Sequence, residues 1–294
     1  MQADQLARGT AYNGQIRVYA AVSTALVQEL QRRHQLWPVA TAALGRTVTV
    51  TAMMGLMQDE GKVKVQIKGD GALGYIVADA DAAGHARGYV HQPHVDRPLN
   101  EQGKLDVAGA IGSGFLYVFK DFGAGEPYRS SVPLVSGEIG EDFTYYFTVS
   151  EQTPSAVGVG VLVNPDLSVQ ASGGWIVQRM PGADEEVITQ VIERVSRLPA
   201  VSSMVAEGLS AEQLLAQVVG PEGQVRVHQV VPLSFACSCS RERVENMLRG
   251  LGRDELQTIL REQGSAEVTC QFCNERYVFE RGEIERLLED LNRP

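Results

Sequence analysis

Cysteine is missing from the first 236 positions of this 294-residue chain and from everything after position 273. With no thiol outside that window, disulfides cannot organise the bulk of the fold, which must rest on an ordinary hydrophobic core. Basic residues are also in deficit, 26 lysines and arginines against 36 acids, for a formal charge of −10. That balance argues against binding to nucleic-acid phosphate or an anionic membrane, and no basic aromatic patch stands out along the chain. No eighteen apolar residues run uninterrupted, so no membrane span is expected. The opening stretch MQADQLARGTAYNGQIRVYA has no basic start ahead of an apolar block. No secretory signal is therefore expected, and the cytoplasm is the expected compartment. A nucleophile elbow, a nucleotide-hydrolysis motif, internal repeats and low-complexity tracts are all lacking.

What is present suits two folded units and a connector. From Gln15, QIRVYAAV alternates as a strand; STALVQELQRRHQ then takes helical spacing, with Ser23 as its cap. PVATAALGRTVTVTAMMGLMQ is small and apolar on every side, which predicts a buried helix with Pro38 in its first turn. Short runs rich in valine, tyrosine and phenylalanine follow, among them KVKVQIKGDG, SGFLYVFKDFG, YRSSVPLV, FTYYFTVSEQ and VGVGVLVN. Gly, Asp and Asn turns separate them, the pattern of a mostly antiparallel sheet. The fold class is therefore α+β, with an N-terminal sheet domain holding buried helices over residues 1–178.

The character changes near Pro181. In DEEVITQVIERVSRLP, the apolar residues Val187, Ile188, Val191, Ile192, Val195 and Leu198 share one helical face. Ser210 and Gln213 match a capping box, after which Leu214, Leu215, Val218 and Val219 continue the stripe. Residues 179–232 thus read as an amphipathic helical linker. Residues 233–294 form a small C-terminal α+β domain, with Val278 and Phe279 in a strand and GEIERLLEDL as the last helix.

That last domain holds all four cysteines, as C-x-C (Cys237, Cys239) and C-x-x-C (Cys270, Cys273). Two close pairs on turns supply a closed four-thiolate shell, the donor set of structural zinc, with no open position for a reacting water. About sixty residues make too small a core to stand alone, and zinc would add on the order of 10 kcal/mol of folding free energy. An oxidant would join each neighbouring pair. Disulfide sulfurs are poor ligands, and loops of one or two residues constrain almost nothing of the unfolded chain. The spacing therefore behaves as a reversible unfolding switch.

Other patterns carry less. Gly69, Gly71 and Gly74 spell G-x-G-x-x-G, but no helix follows to receive a pyrophosphate, and a hairpin turn accounts for them better. CQFC alone suggests thioredoxin-like exchange, yet NERYVFE reads as strand where that chemistry needs a helix start. His91 and His94 have ligand-like spacing in a Pro-containing loop, and His228 is near the cysteines in sequence only.

FACSCSRERVENML and EVTCQFCNERYVFE, preceded in order by GDGALGYIVADADAAGHARGYV, SGEIGEDFTYYFTVSEQTPSAV and GGWIVQRMPGA, resemble the bacterial redox-regulated heat-shock chaperone family, heat-shock protein thirty-three. The resemblance runs over essentially the whole chain. It implies an ATP-independent holdase, not an enzyme, that is dormant when one zinc ion sits on Cys237, Cys239, Cys270 and Cys273. It implies activation by disulfides Cys237–Cys239 and Cys270–Cys273, zinc release, and unfolding of the tail and linker. It further implies homodimerisation on activation, capture of unfolded or oxidatively damaged clients during heat and oxidative stress, and hand-off to ATP-dependent chaperones. No nucleic acid or membrane partner is expected. A zinc-ribbon interaction protein and a thiol oxidoreductase are the competing classes.

Overall fold

The computed structural model describes residues 3–58, 60–123 and 125–291. Strands β1 (Gln5–Ala11) and β2 (Ile16–Val22) precede helices α1 (Thr24–His34) and α2 (Pro38–Leu56). Strands β3 (Lys62–Gly69), β4 (Tyr75–Asp81) and β5 (His85–Val90) lead to the short helix α3 (Val107–Ile111). Next come β6 (Gly114–Asp121), β7 (Tyr128–Pro133), α4 (Gly140–Val149), β8 (Ser155–Val163) and β9 (Val169–Arg179). Helices α5 (Glu185–Ser196), α6 (Val201–Ala206) and α7 (Ala211–Val219) are followed by β10 (Arg226–Pro232) and β11 (Ser234–Phe235). The chain continues through α8 (Arg241–Gly250), α9 (Arg253–Glu262), β12 (Ala266–Thr269), β13 (Arg276–Phe279) and α10 (Arg281–Asp290). These elements fall into two compact units, Met1–Ala236 and Cys237–Pro294.

The first unit is built around α2. Two sheets enclose that helix, one in the order β10-β1-β2-β9-β8 and the other β11-β5-β4-β3-β6-β7. A helix covered on all sides has no use for a polar face, which is why PVATAALGRTVTVTAMMGL carries none. It is long and apolar enough to cross a membrane, but 94% of that window is buried inside the fold. Its buried threonines satisfy themselves: Thr47, Thr49 and Thr51 each donate to the carbonyl four residues earlier, at 2.7–2.8 Å. Helices α5–α7 lie over the other face of the first sheet. There Val191, Leu214, Leu215 and Val218 pack with Val18, Ala20 and other small sheet residues.

Two buried carboxylates organise backbone that the sequence pattern did not single out. Asp142 accepts the amides of Val135 (2.8 Å), Ser136 (3.0 Å), Gly137 (3.3 Å) and Ile139 (2.9 Å). It thereby holds Ile139 at φ 71, a conformation costly for a β-branched residue. Asp142→Ala is expected to lower the stability of this unit by about 3 kcal/mol, because the buried amides lose their acceptor. An unchanged urea midpoint would refute that role.

Asp4 takes the amides of Ala25 (3.0 Å) and Leu26 (2.7 Å) at the start of α1. Ser23 occupies the expected cap position but makes no cap bond. Its hydroxyl joins Thr49 (2.7 Å) and Ser172 (2.8 Å) instead, a correction to the capping expectation. Burial pushes the Asp4 carboxyl up to about 6, against the downward pull of those amides. A folded value above the unfolded one gives stability that is full at acid pH and is lost as pH rises through about 6. Wild type and Asp4→Asn are therefore expected to match near pH 4, with wild type falling behind by about 2–3 kcal/mol at pH 7. A gap that stays constant with pH would contradict this.

Other expectations need correction. FTYYFTVSEQ, read with the strand-like runs, is helix α4, whose Phe143, Tyr146 and Phe147 fill the core at i, i+3, i+4 spacing. Strand β1 lacks a β-branched run and was not anticipated; it pairs with both β2 and β10. The segment after Arg179 includes α6 and β10 in addition to the two expected helices. The glycine run behaves as a turn: Gly69 donates to the Gly74 carbonyl (3.0 Å), β3 runs into β4, and no helix follows.

Candidate metal centre

The second unit is a short hairpin, β12 with β13, packed among α8, α9 and α10. Its core is small: Val244, Leu248, Leu256, Phe279, Ile284 and Leu287 contribute most of it. Arg241 closes one side. It lies 4.3 Å over the Phe279 ring and donates to the Val278 carbonyl (2.9 Å) and Glu283 (2.7 Å).

Cys237 and Cys239 flank Ser238 in an extended stretch ahead of α8. The helix start is fixed by Ser240, which accepts the Arg243 amide at 3.2 Å. Arg243 in turn donates to both the Ser238 carbonyl (2.9 Å) and its hydroxyl (3.0 Å), so the residue between the two cysteines is tied down. Cys270 and Cys273 lie on the turn of the hairpin. The Asn274 amide donates to the Cys270 carbonyl (2.8 Å) and the Cys270 amide to the Glu275 carbonyl (2.9 Å). This tight return puts Asn274 at φ 60, where asparagine is among the more tolerated residues.

These two anchored turns bring all four sulfurs within 4.8 Å of one another. Cys237 and Cys270 sulfurs are 3.7 Å apart, and Cys239 and Cys273 sulfurs 3.2 Å. Four thiolates about 2.3 Å from a central ion stand ~3.8 Å apart at the corners of a tetrahedron, so the cluster is sized for one metal ion. Burial pushes the Cys239 and Cys273 thiols up. Left to themselves they hold their protons, and only a cation at the centre makes the thiolate set favourable. The Tyr277 hydroxyl donates to the Cys239 sulfur at 3.2 Å, a bond that also raises the phenol's own pKa. That donor supports one ligand from outside the shell, as outer partners do in metal sites. Sequence reasoning missed both Tyr277 and Arg243; the only signal was their closeness to the cysteine pairs.

The apolar linker positions come together as a layer on the first sheet. Val191 is 6% exposed, and Leu214, Leu215 and Val218 are fully buried. Val187, Ile188, Val195 and Leu198 are half-buried against the same cluster. Ile192 does not belong to that face: it is 59% exposed. With Val191 as centre, the others lie within about 60° around α5, while Ile192 lies ~100° away, past the edge of the stripe. His91 stacks on Tyr75 (4.8 Å) and His94 on Trp37 (5.6 Å), while His228 pairs with the Thr10 hydroxyl (2.8 Å); none joins the sulfur cluster.

A family model described as Hsp33 protein matches residues 4–280. The chain is 53% identical over 286 residues to the 33 kDa chaperonin of Geobacillus kaustophilus, covering 97% of each chain. It is 51% identical to the 33 kDa chaperonin of Oceanobacillus iheyensis, over 97% of this chain and 99% of that one. Among solved structures, the 33 kDa chaperonin (heat shock protein 33 homolog) of Thermotoga maritima superposes with a TM-score of 0.91 at 37% identity, covering 98% of this chain and 99% of that one.

Proposed function

Because this chain belongs to the Hsp33 protein family, we propose that it is an ATP-independent, redox-gated holdase of the bacterial cytoplasm rather than an enzyme. The resting state carries one zinc ion on Cys237, Cys239, Cys270 and Cys273. The observation that carries the reading is the sulfur cluster: a four-thiolate shell, sized for one ion, inside a unit whose own apolar core is minimal. When bound, zinc supplies fold stability and no reacting position.

Oxidation removes the ligands. Each pair of thiolates gives up two electrons and forms one S–S bond, and each peroxide taking those electrons with two protons becomes two waters. The pairs that join are Cys237 with Cys239 and Cys270 with Cys273. Neighbours along the chain stay within reach of one another even as the two turns move apart, which cross-turn pairs do not. Neither bridge closes a loop long enough to restrain the unfolded chain, so residues 233–294 unfold.

Residues 179–232 are the second moving part. Short helices such as α5 and α7 are marginal alone and depend on the sheet for their apolar stripe. Their release uncovers two apolar surfaces, the stripe itself and the sheet face of small residues beneath it. Contiguous surface of that kind holds unfolding clients until ATP-dependent chaperones receive them. Strand β8, an outer strand of the first sheet with the uncharged sequence SAVGVGVLV, favours strand pairing with a second copy and so supports a dimeric active form.

The test is suppression of aggregation of a heat-unfolded client by the zinc-bound and peroxide-treated forms, with zinc and thiols counted in each. Activity confined to the oxidised, zinc-free form is expected. Equal activity in both forms, or none in either, would overturn the redox gate, and turnover of a disulfide substrate would point to an oxidoreductase. Disulfide mapping of the oxidised form should recover the two local pairs.

A further inference from the structure

The second sheet packs one face on α2, through Val63, Val65 and Ile67 of β3 and Leu116 and Val118 of β6. Side chains on its other face are exposed or half-buried along β3 and β6. Alternation along β3 turns Lys62, Lys64, Gln66 and Lys68 outward, and the three lysines are exposed. Along β6 the same alternation turns out Phe115, Tyr117 and Phe119, with Phe115 49% exposed.

Register sets these two rows side by side. Lys64 stands opposite Phe119, Gln66 opposite Tyr117 and Lys68 opposite Phe115. On the far side of β3, Lys68 faces Tyr75, and β5 adds Tyr89. Arg129 of β7 lies over the Phe119 ring, 6.0 Å from its centre. The result is a ladder of aromatic rings beside a ladder of cations, strands about 4.8 Å apart and rungs about 6.8 Å apart. A trough of 570 Å³ crosses it, lined by Lys62, Lys64, Tyr89, Phe119, Asp79 and Arg129 among others.

Its charges are largely uncommitted. Lys62, Lys64 and Lys68 make no ion pair or hydrogen bond among the described residues. Three aspartates share the face: Asp79 stands across from Lys64 and is engaged by Arg87 (2.9 Å), Asp81 stands across from Lys62 and is engaged by His85 (3.1 Å), and Asp121 lies on the other side of Lys62. One acceptor is unused: Asp79 Oδ1 is buried in the trough wall without a hydrogen-bond partner.

We propose that this face is a platform for single-stranded nucleic acid. Phe115, which is exposed, and the half-buried rings beside it accept bases by stacking whatever their identity, and a parallel row of lysines follows the phosphates. The rung spacing is comparable to the repeat of an extended, unstacked strand. The deficit of basic residues, which led to the expectation of no nucleic-acid partner, describes the molecule as a whole; this face carries a local excess of cations. Unfolded polypeptide is the less suited occupant, since an open row of unpaired lysines favours a polyanion over an apolar segment.

The experiment titrates the full-length, zinc-bound protein into a fluorescently labelled twelve-residue oligouridylate and follows anisotropy at several salt concentrations. Micromolar binding is expected, with log K falling against log salt at a slope of about −2, as for three phosphates neutralised on a single strand. Lys64→Glu/Lys68→Glu should weaken binding at least tenfold and flatten that slope. Tyr117→Thr or Phe119→Thr should weaken it about tenfold while leaving the slope unchanged. Circular dichroism would confirm that these surface variants stay folded. No anisotropy change up to about 100 μM protein at 50 mM salt, or wild-type affinity in the double lysine variant, overturns the proposal. So does binding of a labelled acidic peptide that the oligonucleotide fails to displace, which would make the face a polypeptide site. None of these results depends on the redox gate, since the protein stays reduced throughout.

Discussion

Cys273→Ser abolishes metal binding and unfolds the C-terminal unit while the N-terminal unit stays folded. The expectation follows from the balance of terms in residues 237–294. Their apolar core is a handful of side chains, too few to offset the ordering entropy of nearly sixty residues. Zinc on four thiolates contributes on the order of 10 kcal/mol, more than that core supplies. Serine removes one thiolate from the most buried of the four positions. Burial also discourages the Cys239 thiol from ionising, so a three-sulfur site holds the ion far less well. Zinc content, far-UV circular dichroism and amide exchange of the purified variant are the measurements. Full protection of residues 241–290 in a zinc-free variant would remove the basis of the switch.

Val191→Asp gives holdase activity to the reduced, zinc-bound protein, and Ile192→Asp does not. Val191 is 6% exposed within the apolar layer between α5 and the first sheet, whereas its neighbour is 59% exposed. An unpaired carboxylate at the first position costs roughly 3–5 kcal/mol in the docked state and nothing once α5 is released. A helix of 12 residues, marginal outside its packing, cannot absorb that cost. At the second position the charge already faces water. Client aggregation measured for both variants with zinc still bound separates docking from metal loss. A silent but folded Val191→Asp protein, or equal activity in the two variants, would show that the helical layer does not gate function.

The candidate site was legible where its chemistry is local. The C-x-C and C-x-x-C pairs mark a candidate ligand set by spacing, and the fold does bring their four sulfurs within 4.8 Å of one another. The buried α2 was legible from the absence of any polar face, and α7 from its capping box, whose reciprocal bonds are both present. Ile192 was misread because periodicity marks a stripe without marking its edge. FTYYFTVSEQ was misread because a short aromatic run fits strand and helix alike; Asp142, four amides and the core decide for helix. The supports of the metal centre, Arg243 and Tyr277, were invisible since hydrogen bonding to a ligand leaves no pattern in the chain.

By itself, the amino-acid sequence determined the α+β class, the grouping of the four cysteines in two close pairs, and the family. These depend on neighbours along the chain, or on motifs that survive being read one residue at a time. Only the tertiary structure decided which face of α5 is covered, which buried carboxylates hold loops in place, and that Lys64 and Lys68 of β3 stand beside Phe119 and Phe115 of β6. Those residues are some fifty positions apart in the chain, and they meet because backbone hydrogen bonds between antiparallel strands set a register. Net charge sums over the molecule and cannot report it.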